Sequence, residues 1–149
     1  MGHDPLFAPG IHDQSLDDLE AACVTAFNEG KHREELFENF RSLCEELHKN
    51  LGIDCKLWVN GSFVTEKEKP NDIDVVCIAP RSEVNSLNGS DQTRLAKLVR
   101  TQLSKIAYDT DLYFCPEGDS SGLDYWKNQF GSDRSGSDKG IASIKLTDK

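Results

Sequence analysis

The chain lacks the features that define several common classes of protein. In 149 residues it has no apolar run approaching the length of a membrane span. Met1 to Ile11 has neither the basic start nor the long apolar stretch of a signal peptide, so a cytoplasmic location is expected. Positive charge is scarce: 17 Lys and Arg against 26 Asp and Glu leave a net charge of -9. A protein that grips nucleic acid through bulk charge shows a basic field, so that role is not expected. Cys23, Cys44, Cys55, Cys77 and Cys115 make an odd count of five, with no C-x-x-C pair. A disulfide framework and a cysteine zinc site are both disfavoured. Cys77 and Cys115 sit in apolar runs and Cys44 on a helical stripe, where a thiol serves as a small buried hydrophobe. His3, His12, His32 and His48 show no ligand spacing and are expected at the surface. There is no G-x-x-x-x-G-K-[ST] loop for a P-loop.

What is present suits one core in a polar shell: 37% of residues are hydrophobic and 29% charged. Residues 1–14 hold two prolines, two glycines and two histidines and read as an irregular leader to a single domain over 15–149. Ser15 caps a first helix, with Asp18 three residues on and an apolar stripe from Leu16 to Phe27; Asn28-Glu29-Gly30 ends it. Leu36, Phe37, Phe40, Leu43, Cys44, Leu47 and Leu51 mark one face of a second helix from about His32 to Asn50, closed by Gly52. A strand over 56–60 meets Gly61, and 63–71 form an exposed, highly charged connection. Residues 72–79 are a strand apolar enough to be central, and Pro80 stops it. A polar loop over 81–90 leads to a helix capped by Ser90 or Asp91, with Leu95, Leu98, Val99, Leu103 and Ile106 on its inner stripe. A third strand covers 111–115. Leu123, Tyr125, Trp126 and Phe130 form a short helix or an aromatic patch, 131–140 are linker, and 141–146 a last strand that docks back.

The chemistry concentrates where two strands meet. Gly61-Ser62 ends one strand, nine residues follow, and Asp72-Ile73-Asp74 opens the next. Alternate residues of a strand share a face, so Asp72 and Asp74 project together while Ile73 and Val75 enter the core. Two close carboxylates repel, and a divalent cation between them removes that cost. Oxygen ligands of this kind suit Mg2+, or Mn2+ in its place. A glycine at a strand end lets a phosphate approach the backbone, and Ser62 adds a hydroxyl and an amide. Asp111, joined directly to a later apolar run, is the choice for a third carboxylate; Asp109 has the same parity, so alternation does not exclude it. Lys67 and Lys69 lie near this mouth, Arg134 and Lys139 in the linker, and Tyr125 with Trp126 offers a stacking surface.

V-N-G-S-F followed by D-I-D-V-V resembles the signature of the DNA polymerase beta-like nucleotidyltransferase superfamily, and in particular its minimal bacterial and phage members. The matching covers about residues 57 to 78, extended by 111 to 115. The resemblance implies an α+β fold, a small mixed sheet flanked by helices. It also implies that Asp72, Asp74 and Asp111 bind the metal and act in catalysis, and that Gly61 and Ser62 bind the nucleotide. The expected reaction moves a nucleoside monophosphate from a triphosphate such as ATP to a hydroxyl on a protein, an RNA or a small molecule, releasing pyrophosphate. The larger members add a helical domain that this chain has no room for. The alternative is a regulatory or interaction protein of the same fold, such as a toxin–antitoxin or phage-defence component that acts by docking a partner. A haloacid dehalogenase-like phosphatase is rejected because its acidic motif follows an apolar strand, whereas here the strand comes after the acids. A glycosyltransferase D-x-D would leave Gly61-Ser62 unexplained.

Overall fold

Runs rich in Val, Ile and Leu form the middle of a five-stranded sheet, because both of its faces are covered. The computed structural model describes residues 6–27, 31–66, 70, 73–100, 103–131 and 140–146. Strands β1 (Gly10–Asp13), β2 (Cys55–Asn60), β3 (Ile73–Ala79), β4 (Thr110–Pro116) and β5 (Gly140–Leu146) lie in the order β1-β5-β2-β3-β4. β2 runs antiparallel to both β3 and β5, while β3–β4 and β1–β5 are parallel pairs. The expected small mixed sheet with helices is therefore observed.

Period-2 alternation divides the sheet into two faces. Leu57, Val59, Ile73, Val75, Cys77, Ala79, Leu112, Ala142 and Ile144 join one core with Leu19, Phe37, Phe40 and Leu98. Those partners come from helices α1 (Leu16–Glu20), α2 (Lys31–Glu45) and α4 (Gly89–Arg100). On the opposite face Trp58, Val76, Ile78, Cys115 and Ile141 pack beneath Phe130, Leu123 and Trp126 of α6 (Ser120–Phe130). The capping box is formed: Asp18 N–H donates to Ser15 Oγ at 3.0 Å and Ser15 N–H to Asp18 Oδ2 at 3.1 Å. The first two helices continue as π turns over Ala21–Thr25 and Glu46–Asn50, the second closed by Leu51 N–H on the Glu46 carbonyl. All five cysteines are buried free thiols.

Several expectations need correction. Gly10–Asp13, expected in an irregular leader, is strand β1; four residues are too few to show a period, and β5 supplies its partner from the far end of the chain. Phe63 and Val64, expected in an exposed connection, are 0% and 1% exposed in a 3-10 turn over Ser62–Val64. Arg81–Asn85 is a short helix, α3, rather than loop. The cap of α4 is Asn88, whose Oδ1 accepts from Asp91 N–H and Ser90 Oγ. Ile106, expected on the inner stripe, is 79% exposed. It belongs to a separate helix, α5 (Leu103–Tyr108), whose face does not continue the stripe of α4. His12, His32 and His48 are half-buried rather than superficial, and His32 Nε2 donates to the Pro70 carbonyl at 2.7 Å. The helix end at 28–30 and the linker over 132–139 lie outside the described residues.

Candidate functional site

Gly61 follows the last residue of β2 with φ 94 and ψ -177. L side chains rarely adopt that backbone, and glycine does so freely. The turn it starts is closed by Val64 N–H on the Gly61 carbonyl at 3.2 Å and by Thr65 N–H and Oγ1 on the Ser62 carbonyl at 3.1 and 2.6 Å. Ser62, half-buried, opens this turn.

Arg33 holds the turn from behind. Its side chain is fully buried, and Nη1 donates to the carbonyls of Phe63 at 2.6 Å and Cys23 at 2.9 Å. Nη2 donates to the Thr65 carbonyl at 2.7 Å, and the guanidinium lies 3.7 Å from the Phe27 ring centre. Burial is the main cause of a lowered Arg33 pKa, but the group stays charged because arginine starts so high. Charge-assisted bonds to carbonyls are the stronger kind. They tie the residues after Ser62 to α2 and to the π turn that follows α1. The sequence gives no hint of this: His32-Arg33-Glu34-Glu35 reads as a solvated helical stretch.

The next strand places acids beside this corner. Asp74 is the second residue of β3 and pairs across the sheet with Asn60 of β2 and Asp111 of β4. Residues directly opposite one another share a face, so Asn60, Asp74 and Asp111 form one row across three neighbouring strands. Adjacent backbones in such a row stand about 5 Å apart. Asp74 and Asp111 are both half-buried, and Lys105 Nζ of α5 lies 3.9 Å from Asp111 Oδ2. Asn60 is 3% exposed. Its Nδ2 donates to the Phe130 carbonyl at 2.7 Å, which fixes the amide, and its Oδ1 is buried with no hydrogen-bond partner among the described residues. An orphaned buried acceptor of this kind is uncommon and calls for an explanation.

Asp109 is placed differently. It precedes β4 with φ 54, and its Oδ2 accepts from Asn39 Nδ2 at 2.5 Å. It serves the α2 side of the turn, whereas Asp111 stands in register with Asp74. Asp72 lies outside the described residues, as do Lys67, Lys69, Arg134 and Lys139. Among the described residues no group of three His, Cys, Asp or Glu side chains is assembled for a metal; the row contributes two carboxylates. Two carboxylates and an unsatisfied amide oxygen are a hard, all-oxygen donor set, which is compatible with Mg2+ or Mn2+. Tyr125 and Trp126 lie on α6, on the same side of the sheet as this row. Asn60 and Arg33 were not singled out by sequence; Asn60 stood in plain view as the residue before Gly61.

The strand pair, its Gly-Ser corner and its acidic row define a small α/β protein with a polar site at one end of a mixed sheet. The chain belongs to a family of unknown function, DUF6932, whose match runs over residues 1–145 and so takes in β1 and β5 as well as the site. No curated protein and no solved structure matches it. No described helix is long and apolar enough to cross a membrane.

Proposed function

We propose that this protein is a metal-dependent nucleotidyltransferase with the polymerase beta-like fold. The observation that carries the reading is the register of Asp74 with Asp111, in the row that ends β2 at Asn60, the residue before the Gly61-Ser62 turn. Asp72, Asp74 and Asp111 are the residues that would hold Mg2+, or Mn2+ in its place. A cation held there would supply neutralisation of phosphate charge and a lowered pKa for an attacking hydroxyl.

The chain's own groups have distinct tasks. The positive φ at Gly61 clears side-chain bulk from the approach of a triphosphate. The amide and hydroxyl of Ser62 donate to its phosphate oxygens. Arg33 keeps the turn from shifting, which matters because in-line phosphoryl transfer depends on positioning more than on covalent chemistry. The acceptor hydroxyl attacks the α-phosphorus, the bond to pyrophosphate breaks, and the proton passes to Asp111. The acceptor is a protein, an RNA or a small molecule.

The test is label transfer. Each α-labelled triphosphate is incubated with Mg2+, the protein, and pooled RNA and protein acceptors, with Asp74→Ala and Asp72→Ala alongside. Wild type transfers label from at least one triphosphate and both variants lose transfer. Equal transfer by wild type and Asp74→Ala, or none by either, contradicts the reading.

A further inference from the structure

The face that carries the acidic row also carries an aromatic cluster beside it. Tyr113 is two residues beyond Asp111 on β4 and therefore on the same face. At the ordinary strand rise that is about 7 Å from Asp111 along the strand. Its ring centre lies 4.8 Å from that of Trp126, and the Tyr125 ring meets Trp126 edge-on at 5.0 Å. Trp126 in turn contacts Phe130, the residue whose carbonyl holds Asn60. The cluster is thus anchored to the core at one end and open at the other: Tyr113 is 39% and Tyr125 54% exposed. β4 is the edge strand of the described sheet. Elsewhere on the strands and the Gly61 turn, Trp58 at 6% and Phe63 at 0% are buried, and Phe114 is half-buried against the core.

We infer that Tyr113, backed by Trp126 and flanked by Tyr125, is the stacking platform for the base of the nucleoside triphosphate. This rests on the nucleotidyltransferase reading, which places the phosphates at the row. Among the described residues the exposed large apolar groups are Ile11, Ile106, Tyr113 and Tyr125, and of these the two tyrosines belong to the aromatic cluster on the face of the row. A flat aromatic ring a short step from the phosphate site meets the base of the same molecule, one ribose away. Stacking accepts any base, because every base has a π face. The platform therefore supplies affinity, with limited choice among bases.

Calorimetric titration in Mg2+ tests this with two probes: non-hydrolysable triphosphates of the four nucleosides, and inorganic tripolyphosphate, which has no base. Wild type is expected to bind at least one nucleotide about 10-fold more tightly than tripolyphosphate, within the range of one stacking contact. Tyr113→Ser removes that advantage and leaves tripolyphosphate affinity unchanged, which also shows that the variant is folded. Tyr113→Phe retains the advantage. In a Trp58→Phe background, Trp126 fluorescence is quenched by nucleotide and not by tripolyphosphate, a readout that needs no change at Tyr113. Equal binding of both probes by wild type, or full nucleotide affinity in Tyr113→Ser, overturns the platform while leaving the phosphate site standing. Failure of wild type to bind either probe overturns the nucleotidyltransferase reading, and the platform with it.

Discussion

The two faces of the sheet differ in what their side chains are asked to do. On the face beneath α1, α2 and α4 every inward position from Leu57 and Val59 to Ile73, Val75, Cys77 and Ala79 is apolar and closed to water. On the face beneath α6 the strands are apolar only where the helix covers them, at Trp58, Val76, Ile78 and Cys115. At the end that meets Gly61 the same positions become Asn60, Asp74 and Asp111. Polar groups there are not a packing solution. A buried amide oxygen with no hydrogen-bond partner among the described residues costs stability. The first face fixes the fold, and the second gives up stability at one end to build a polar site.

Substitutions can sharpen or break that contrast. The largest effect on stability is expected at Arg33, which holds the turn after Gly61 to α2 on the closed face. Arg33→Met removes the donors to the buried carbonyls of Cys23, Phe63 and Thr65 and should cost roughly 3–5 kcal/mol in urea unfolding. Leu57→Ala on the closed face, at 0% exposure, should cost about 2–5 kcal/mol in the same measurement. A smaller loss, about 1–3 kcal/mol, is expected for Gly61→Ala, whose new side chain must occupy a strained backbone. Its triphosphate affinity should fall further than its stability explains. If Leu57→Ala instead abolishes binding with little unfolding, the division of labour between the faces is wrong.

The smallest effect concerns pH and lies away from the site. Burial pushes the Glu46 carboxyl up, but hydrogen bonds from Asn50 and Arg94 and the Arg94 charge bring it below its ordinary value of 4.5. A lowered carboxyl favours the folded state above its unfolded pKa, and that contribution is lost as pH falls through the folded value. Glu46→Gln should therefore flatten the acid-side decline in stability, by about 1 kcal/mol or less. An unchanged decline would mean that other carboxyls carry it.

Much of this was legible because it depends on short-range pattern. The Ser15–Asp18 box, the stripe from Leu36 to Leu51 and the apolar runs of β2 and β3 follow from spacing alone. Its direct junction with the apolar run singled out Asp111, while strand parity left Asp109 open; the register of Asp111 with Asp74, and the left-handed backbone and Asn39 partner of Asp109, distinguish the two. What stayed hidden depends on partners distant in sequence. β1 is a strand because β5 pairs with it, and Arg33 is buried because three carbonyls from other segments converge on it. Asn60 gains its meaning from Asp74 across the sheet and from the carbonyl of Phe130 on α6. Ile106 faces solvent because the stripe of α4 does not run on through α5.

The central claim is that the acidic row binds a metal–triphosphate complex, and its most direct test is titration of Mn2+ with and without tripolyphosphate, followed by proton relaxation. Wild type should bind Mn2+ and bind it more tightly when tripolyphosphate is present. Asp74→Asn with Asp111→Asn should lose both while keeping a cooperative unfolding transition. Equal Mn2+ binding by wild type and the double variant would contradict the account.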